Sequence, residues 1–141
     1  MIKFMLDTDI CIYMMKENPP AVRDRLNRTS PEDICISAIT LSELEYGAFK
    51  SSRPGQNRAK LAEFLGPLQV APYDAMAAAE YGLIRAALEK LGKLIGPLDT
   101  LIAAHALSLD CALVTNNESE FIRVPRLRVQ NWAQPEAGSM Q

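Results

Sequence analysis

The stretch IKFMLDTDICIYMMK, residues 2–16, decides the fold and also raises the question of function. Its apolar start predicts a buried strand over residues 2–6, and the run from Asp9 to Lys16 predicts a helix. Asp7 and Asp9 stand where the strand meets the helix. Because an unpaired buried carboxylate is costly, such residues are usually hydrogen-bonded, bound to a metal or placed at the edge of the core.

The rest of the chain repeats this alternation of short apolar runs and helical patterns. Asp74 is a predicted N-cap, Gly92 a predicted helix end, and Pro97 suits the first turn of a helix. Strands separated by helices predict a mainly parallel sheet of four to five strands in a three-layer α/β/α arrangement. The predicted strands are 33–37, 68–71, 111–115 and 127–131; the predicted helices are 22–28, 41–51, 56–65, 74–91 and 98–109, with a helical turn over 117–121.

The composition is that of an ordinary globular protein, with 48% hydrophobic and 23% charged residues. We expect one domain over residues 1–132 and a disordered tail over 133–141. No apolar stretch is long enough to span a membrane, and the two early aspartates argue against a signal peptide. Three cysteines without CxxC spacing predict reduced core thiols and hence a cytoplasmic protein.

Acidic and amide side chains follow several of the predicted strands. Asp7 ends the first strand, Glu43 lies in the first helical turn after the second, Asp99 lies in the first turn of helix 98–109, and Asn117 follows the strand 111–115. Ligands of open α/β sheets bind beyond the carboxyl ends of the strands, so we expect these groups to converge. Their oxygen atoms suit a hard divalent cation, which can lower the pKa of a bound water and neutralise charge on a phosphodiester.

Each of these acids also has a purely structural interpretation. Asp7 would cap the following helix, Thr40 and Glu43 fit a capping box, and Asp99 would complement a helix dipole. Three acids at three separate strand-to-helix junctions nevertheless favour an acidic, metal-binding edge of the sheet.

The basic residues form two short runs. The segment KSSRPGQNRAK, residues 50–60, has no acid, and its cations are either phosphate contacts or solvated surface. The second run, over residues 123–128, has the same two interpretations. His105 follows Asp99 by six residues and so points elsewhere, which favours a packing role. The two runs comprise Lys50, Arg53, Arg58 and Lys60, and then Arg123, Arg126 and Arg128.

Four motifs carry a family resemblance that covers residues 1 to about 132. They are MLDTDICIY (5–13), ISAITLSELEYGAFKS (36–51), GPLDTLIAAHAL (96–107) and LVTNNESEFIRVPRLRVQNW (113–132). In this order and spacing they resemble the motif regions of PIN-domain ribonucleases, and more narrowly those of VapC-type toxins of toxin–antitoxin pairs.

The resemblance implies roles for individual residues. Asp7, Glu43 and Asp99 match the acids that bind the catalytic Mg²⁺, for which Mn²⁺ substitutes. Asn117 takes the fourth catalytic position, where many relatives have aspartate, and Thr115 would support its loop. Asp9 is either a neighbour of the metal ligands or an acid at the helix N-terminus. Two positions depart from the family pattern: Ser119 stands where we expect arginine, and Arg126 where glycine is common.

The resemblance also implies an activity and partners. The expected protein is a homodimeric toxin and a metal-dependent endoribonuclease that cuts tRNA, preferentially in the anticodon loop of initiator tRNA. A VapB-like antitoxin would lie in a hydrophobic groove and offer an arginine to the acidic site. The apolar residues Met76, Leu83 and Leu88 are expected first of all in the core, and alternatively at such contacts.

Two other functions remain open at this point. LDTDICI, residues 6–12, resembles the D-x-D motif of haloacid-dehalogenase-like phosphatases, with Asp7 as nucleophile and Asp9 as general acid. That interpretation leaves Glu43 and Asp99 without roles. The other alternative is a catalytically silent PIN module that binds RNA or protein.

Overall fold

The computed structural model describes residues 1–134, in which five strands alternate with seven α-helices. A short 3₁₀ turn, Pro31–Asp33, precedes the second strand. The strands are β1 Phe4–Leu6, β2 Ile34–Ser37, β3 Gln69–Ala71, β4 Ala112–Val114 and β5 Val129–Gln130. The helices are α1 Thr8–Lys16, α2 Pro20–Asn27, α3 Ala38–Lys50, α4 Pro54–Leu65, α5 Ala75–Leu91, α6 Pro97–Ser108 and α7 Glu118–Phe121.

The five strands form one parallel sheet in the order β3-β2-β1-β4-β5. Met5 in the central strand β1 pairs with Cys35 of β2 on one side and with Leu113 of β4 on the other. The chain therefore first adds β2 and β3 on one side of β1, and later adds β4 and β5 on the other side. The carboxyl ends of β1 and β4 flank this switch point, where such sheets bind their ligands. The predicted parallel α/β fold is confirmed.

Apolar side chains cover both faces of the sheet in two clusters, which makes the three layers. One cluster brings Ile84 and Leu88 of α5 and Ile102 of α6 against Met5 and Leu113. The second packs α1, α3 and α4 against the opposite face, together with Trp132. The three cysteines are buried free thiols, as predicted.

Helix α3 begins three residues earlier than predicted. Ser37 is its N-cap, because the Ser37 hydroxyl accepts a 3.0 Å hydrogen bond from the Ile39 N–H. The alternative interpretation of Thr40 and Glu43 as a capping box is therefore excluded, and Glu43 lies in the second turn of α3 instead of the predicted first turn. The Glu43 carboxylate therefore does not cap α3.

Prolines open two helices ahead of their predicted starts. Helix α2 begins at Pro20 and α4 at Pro54, each with proline in the first turn, where its missing N–H costs nothing. Other predicted ends are confirmed. The Asp74 carboxylate accepts a hydrogen bond from Ala77 N at the start of α5, and Gly92 ends that helix at φ 67°.

The exposed surface departs from the prediction at two residues of α5. Leu88 is buried in the core as expected, but Met76 and Leu83 are 67% and 59% exposed.

No helix among the described residues is long and apolar enough to cross a membrane. The predicted tail over residues 133–141 falls, from residue 135 onward, outside the described part of the chain.

Candidate active site

Asp7 is the buried centre of the acidic edge. It ends β1 with extended backbone and serves as the N-cap of α1, and its carboxylate oxygens accept hydrogen bonds of 2.8 Å from Thr8 N and from the Thr115 hydroxyl. Burial raises the pKa of Asp7 to about 7, and the nearby Asp9 charge adds to this rise. Asp7 is thus both a helix cap and a buried carboxyl group with a raised pKa.

Glu43 reaches the same edge from α3. The Thr8 hydroxyl donates a 2.7 Å hydrogen bond to Glu43 Oε1, which joins the start of α1 to the middle of α3. The Glu43 charge lies close enough to Asp7 to raise the pKa of the Asp7 carboxyl. The two acids from the first and second motifs therefore converge as the sequence predicts.

Asp99 approaches from the first turn of α6 and is hydrogen-bonded to Glu120 of α7. Burial raises the pKa of Asp99 to about 7, with further contributions from Glu120, Asp7 and Glu43. Burial also acts to raise the pKa of Glu120, but hydrogen bonds from Gly96, Asp99 and Asn117 lower it overall. The proton of this pair therefore resides mainly on Asp99.

Gly96 leaves room for the Asp99–Glu120 pair. A Cβ atom at Gly96 would lie 3.4 Å from Asp99 Oδ2 and 3.6 Å from Glu120 Oε1. The Gly96 N–H itself donates a 2.8 Å hydrogen bond to Glu120 Oε1. The glycine before α6 thus lets the backbone contact the carboxylate directly.

Glu120 is the site residue that the sequence analysis missed. It stands three residues after Asn117 on α7, so the two side chains share one helix face, and Asn117 Nδ2 donates to the Glu120 carboxylate. The i, i+3 spacing within NNESE is the sequence signal that points to Glu120.

Thr115 links the loop that carries Asn117 to Asp7. Its hydroxyl donates to Asp7 and accepts a 3.0 Å hydrogen bond from the Asn117 N–H. Asp9 binds the same loop from α1, since its Oδ2 accepts a 3.1 Å hydrogen bond from the Asn116 N–H. Burial raises the pKa of Asp9 as well. Asp9 thus lies in the first turn of α1 and also touches the loop after β4.

The donor set at this edge fits a hard divalent cation. Four carboxylates (Asp7, Glu43, Asp99 and Glu120) lie there. Burial, with a smaller contribution from the neighbouring acids, raises the pKa of Asp7 and of Asp99. Within residues 1–134, however, no three Asp, Glu, His or Cys side chains already converge closely enough to hold one ion. The carboxylates bind hydroxyl and amide groups instead, and those bonds would have to rearrange around a cation.

His105 and the second basic run have structural contacts. His105 is buried, its Nδ1 lies 2.7 Å from the Ser37 hydroxyl, and its ring packs edge-on against Tyr73. Arg123 donates to the Leu94 carbonyl, and Arg128 to the Asp110 carbonyl. His105 therefore packs α6 against the start of α3, as predicted.

Arg126 stands where the family resemblance led us to expect glycine, and its backbone conformation suits glycine. Its backbone adopts the left-handed region at φ 70°, which glycine enters without steric cost. Its guanidinium forms a 2.7 Å ion pair with Glu80 of α5.

The other departure from the family pattern, Ser119, is exposed on α7. The first basic run is also on the surface: Lys50, Arg53, Arg58 and Lys60 are all exposed.

Known proteins are similar to this chain in sequence and in fold. A profile of the PIN domain family matches residues 4–127. The chain is 47% identical to a tRNA(fMet)-specific endonuclease VapC of Shigella flexneri over 133 residues, which are 94% of this chain and all of that protein. It is also 47% identical to Ribonuclease VapC2 of Haemophilus influenzae over 132 residues, 94% of this chain and 99% of that protein.

Solved structures agree. A chain in the crystal structure of DNA-bound VapBC from Salmonella typhimurium superposes with a TM-score of 0.89 at 46% identity, covering 94% of this chain and 99% of that one. VapBC2 from Rickettsia felis, bound to a promoter DNA fragment, gives a TM-score of 0.87 at 41% identity, with 94% and 99% covered. With its sheet order, its acidic edge and these likenesses, the chain belongs to the PIN domain family, in its VapC branch.

Proposed function

We propose that this protein is the toxin of a toxin–antitoxin pair and acts as a divalent-metal-dependent endoribonuclease on tRNA. One observation carries the proposal: acids from four separate elements, Asp7, Glu43, Asp99 and Glu120, meet at the carboxyl edge of the sheet. Similarity to the tRNA(fMet)-specific endonuclease VapC of Shigella flexneri supports tRNA as the substrate.

The four carboxylates would hold the cation, and we propose Mg²⁺, with Mn²⁺ as a substitute, because both prefer oxygen ligands. When bound, such a cation lowers the pKa of water and neutralises charge that develops on the phosphodiester. Asn117, which is neutral, orients Glu120 through its amide instead of adding charge. Thr115 and Thr8 hold the Asp7 and Glu43 carboxylates in place.

The reaction is hydrolysis of the phosphodiester. The oxygen of a water molecule forms a new bond to phosphorus, and the bond between phosphorus and the 3′ oxygen breaks. One product therefore carries a 5′-phosphate and the other a 3′-hydroxyl. Asp99 and Glu120, which are ionised when a cation is bound, would supply the carboxylate that accepts a proton from the attacking water. The RNA 2′-hydroxyl need not take part, and the single histidine is buried in structural contacts.

A groove beside the site supports the proposed antitoxin partner. A cavity of about 560 Å³ lies between α1, α2 and α4, with Met14, Leu26 and Phe64 among its lining residues. Met15 and Lys60 line both this cavity and a second one of about 340 Å³ that reaches Glu43. A segment of a VapB-like antitoxin could therefore run along an apolar path and bring an arginine to the acidic edge. The structures of VapBC relatives support such a partner.

We also propose a homodimer. Met76 and Leu83 are exposed on α5, and their seven-residue spacing puts them on one helix face. A Leu83→Glu variant should lower the molecular mass in solution from that of a dimer to that of a monomer. A mass that is already monomeric in the parent protein would contradict this part of the proposal.

The phosphatase alternative has lost its basis. Membership of the PIN domain family over residues 4–127 argues against it, and Asp9, its proposed general acid, is engaged by a backbone N–H of the neighbouring loop.

Mapping the cut tests the proposed substrate. Purified protein is incubated with initiator tRNA and, separately, with an elongator tRNA, and the product ends are identified. We expect a single cut in the anticodon loop of initiator tRNA, leaving a 5′-phosphate. Cleavage of elongator tRNA with initiator tRNA spared would overturn the assignment of the substrate. Products with a 2′,3′-cyclic phosphate would overturn the hydrolytic mechanism.

A further inference from the structure

Helix α3 carries two exposed aromatic rings, each with a cation over its face. Tyr46 is 66% exposed, and Lys50 Nζ lies 4.8 Å from the centre of its ring. Phe49 is 58% exposed, and the Arg58 guanidinium carbon lies 4.7 Å from the centre of its ring. Exposed rings beside cations are typical of surfaces that stack nucleic-acid bases and contact phosphates.

Only the first of these pairs shares a helix face with Glu43. At 100° per residue, Lys50 lies within about 20° of Glu43 around the helix axis and Tyr46 within about 60°. Phe49 lies about 120° from Glu43, on the side that faces α4. The Tyr46–Lys50 pair therefore extends the surface of the acidic site along α3, and the Phe49–Arg58 pair does not.

The two cations also differ in how far their charge is already compensated. Arg58 forms a 3.3 Å ion pair with Glu45. In the described part of the chain, no carboxylate lies within ion-pairing distance of Lys50, whose one specific contact is the Tyr46 ring. Lys50 also begins the acid-free segment 50–60. Its charge is thus available to a phosphate.

The surface between Glu43 and Lys50 is open. Gly47, which also lines the second cavity, lies within about 40° of Glu43 around the helix axis, and a Cβ atom placed there would meet nothing within 4 Å. Lys50 covers one face of the Tyr46 ring, and the large exposure of Tyr46 leaves the remaining surface of the ring to solvent. The exposed part of the ring is therefore accessible to a base.

We propose that Tyr46 and Lys50 bind a single-stranded stretch of the RNA substrate next to the scissile phosphate. The Tyr46 ring stacks on a base, and the Lys50 ammonium contacts a neighbouring phosphate. This inference rests on the proposed ribonuclease function and adds to it the path by which RNA leaves the acidic edge. The uncompensated charge of Lys50 favours a polyanion over an apolar protein segment as the occupant.

Binding and cleavage of a synthetic initiator-tRNA anticodon stem–loop test the inference. Tyr46→Ala should raise KM roughly tenfold with little change in kcat, because the lost stacking acts on binding. Tyr46→Phe keeps the ring and should restore the parental KM. Lys50→Gln should raise KM and lower the slope of log affinity against log salt by about 0.7, the contribution of one phosphate contact on a single strand.

Phe49→Ala and Arg58→Gln are the matched controls, since they remove the other ring and cation of α3. Both should leave KM within about twofold of the parent. Equal effects of the two pairs would overturn the inference, as would parental KM values in Tyr46→Ala and Lys50→Gln. A change from dimer to monomer in Tyr46→Ala would instead make Tyr46 a protein contact and also overturn it. If the parent protein cuts no RNA, the proposed function fails first, and independently.

Discussion

The hydroxyl of Thr115 lies 2.8 Å from Asp7 Oδ2 and donates a hydrogen bond to it, although 108 positions separate the two residues. This contact crosses the switch point of the sheet, from the loop after β4 to the end of β1. The same hydroxyl accepts a hydrogen bond from Asn117 N. One side chain thus fixes both the buried carboxylate and the loop that leads to Glu120.

Thr8 has the corresponding role for Glu43, and its hydroxyl is the first test. Thr8→Val removes the 2.7 Å hydrogen bond to Glu43 Oε1 but keeps the size and branching of the side chain. We expect RNA cleavage to fall roughly 10- to 100-fold, the usual cost of removing a group that orients a metal ligand. Thr8→Ser restores the hydroxyl and should retain most of the activity. Cleavage rates of the two variants, compared at saturating metal, decide the matter; equal rates would rule out this role for Thr8.

Glu120 provides the second prediction. Glu120→Gln keeps the side-chain length but removes the charge next to Asp99, so the shared proton and one proposed metal ligand are lost. Cleavage should decrease by about 10- to 100-fold or more, and the midpoint of Mg²⁺ activation should move to higher concentration. Glu118→Gln, on the same helix α7, is the control and should behave like the parent. Parental cleavage and Mg²⁺ activation in Glu120→Gln would contradict its assignment to the site.

The third prediction concerns stability and pH without metal. The pKa of Asp7 is raised from 3.8 to about 7, so between these values the folded protein keeps a proton that the unfolded chain has lost. The contribution of Asp7 to stability therefore falls as pH rises through this window. Asp7→Asn removes this dependence. Its free energy of unfolding relative to the parent, measured by urea denaturation in EDTA, should rise by roughly 2–4 kcal/mol between pH 4 and pH 7.5. A difference that stays constant with pH would show that the Asp7 pKa is not raised.

Metal binding should be linked to the same protons. Asp7 and Asp99 must be deprotonated to hold a cation, and both have pKa values of about 7. The apparent affinity for Mg²⁺, followed by the rise in melting temperature, should be roughly tenfold or more weaker at pH 6 than at pH 8. Asp99→Asn should lose most of the Mg²⁺-dependent stabilisation, whereas Glu45→Gln, outside the acidic edge, should keep it. Equal Mg²⁺ affinity at both pH values would be incompatible with these ligands.

Much of this arrangement could be predicted from local sequence signals. The alternation of apolar runs and helical patterns predicted the parallel sheet. The placement of Asp7 at a strand end, and of Glu43 and Asp99 near helix starts, predicted their convergence. These features depend on periodicity and on the general geometry of parallel sheets. The start of α3 was placed wrongly because Ser37 and Thr40 are both good capping residues, and tertiary contacts of Ser37 with His105 accompany the choice.

Other features depend on contacts between distant segments, which a single sequence does not reveal. The hydrogen bond of Glu120 to the Gly96 N–H spans 24 positions, and the exposure of Met76 and Leu83 follows from where α6 packs against α5. The open face of α3 around Tyr46 is likewise a property of the packed structure. A helical apolar pattern cannot distinguish a core face from a face left for a partner.

Cleavage of total tRNA by the purified protein tests the central claim most directly. Four reactions suffice: parent protein with Mg²⁺, with Mn²⁺ and with EDTA, and Asp7→Asn with Mn²⁺. The account predicts cleavage in the first two reactions and none in the last two, with Asp7→Asn folded by circular dichroism. Cleavage that persists in EDTA or in Asp7→Asn, or intact tRNA in all four reactions with folded, antitoxin-free protein, would contradict the claim that this acidic edge is a metal-dependent ribonuclease site.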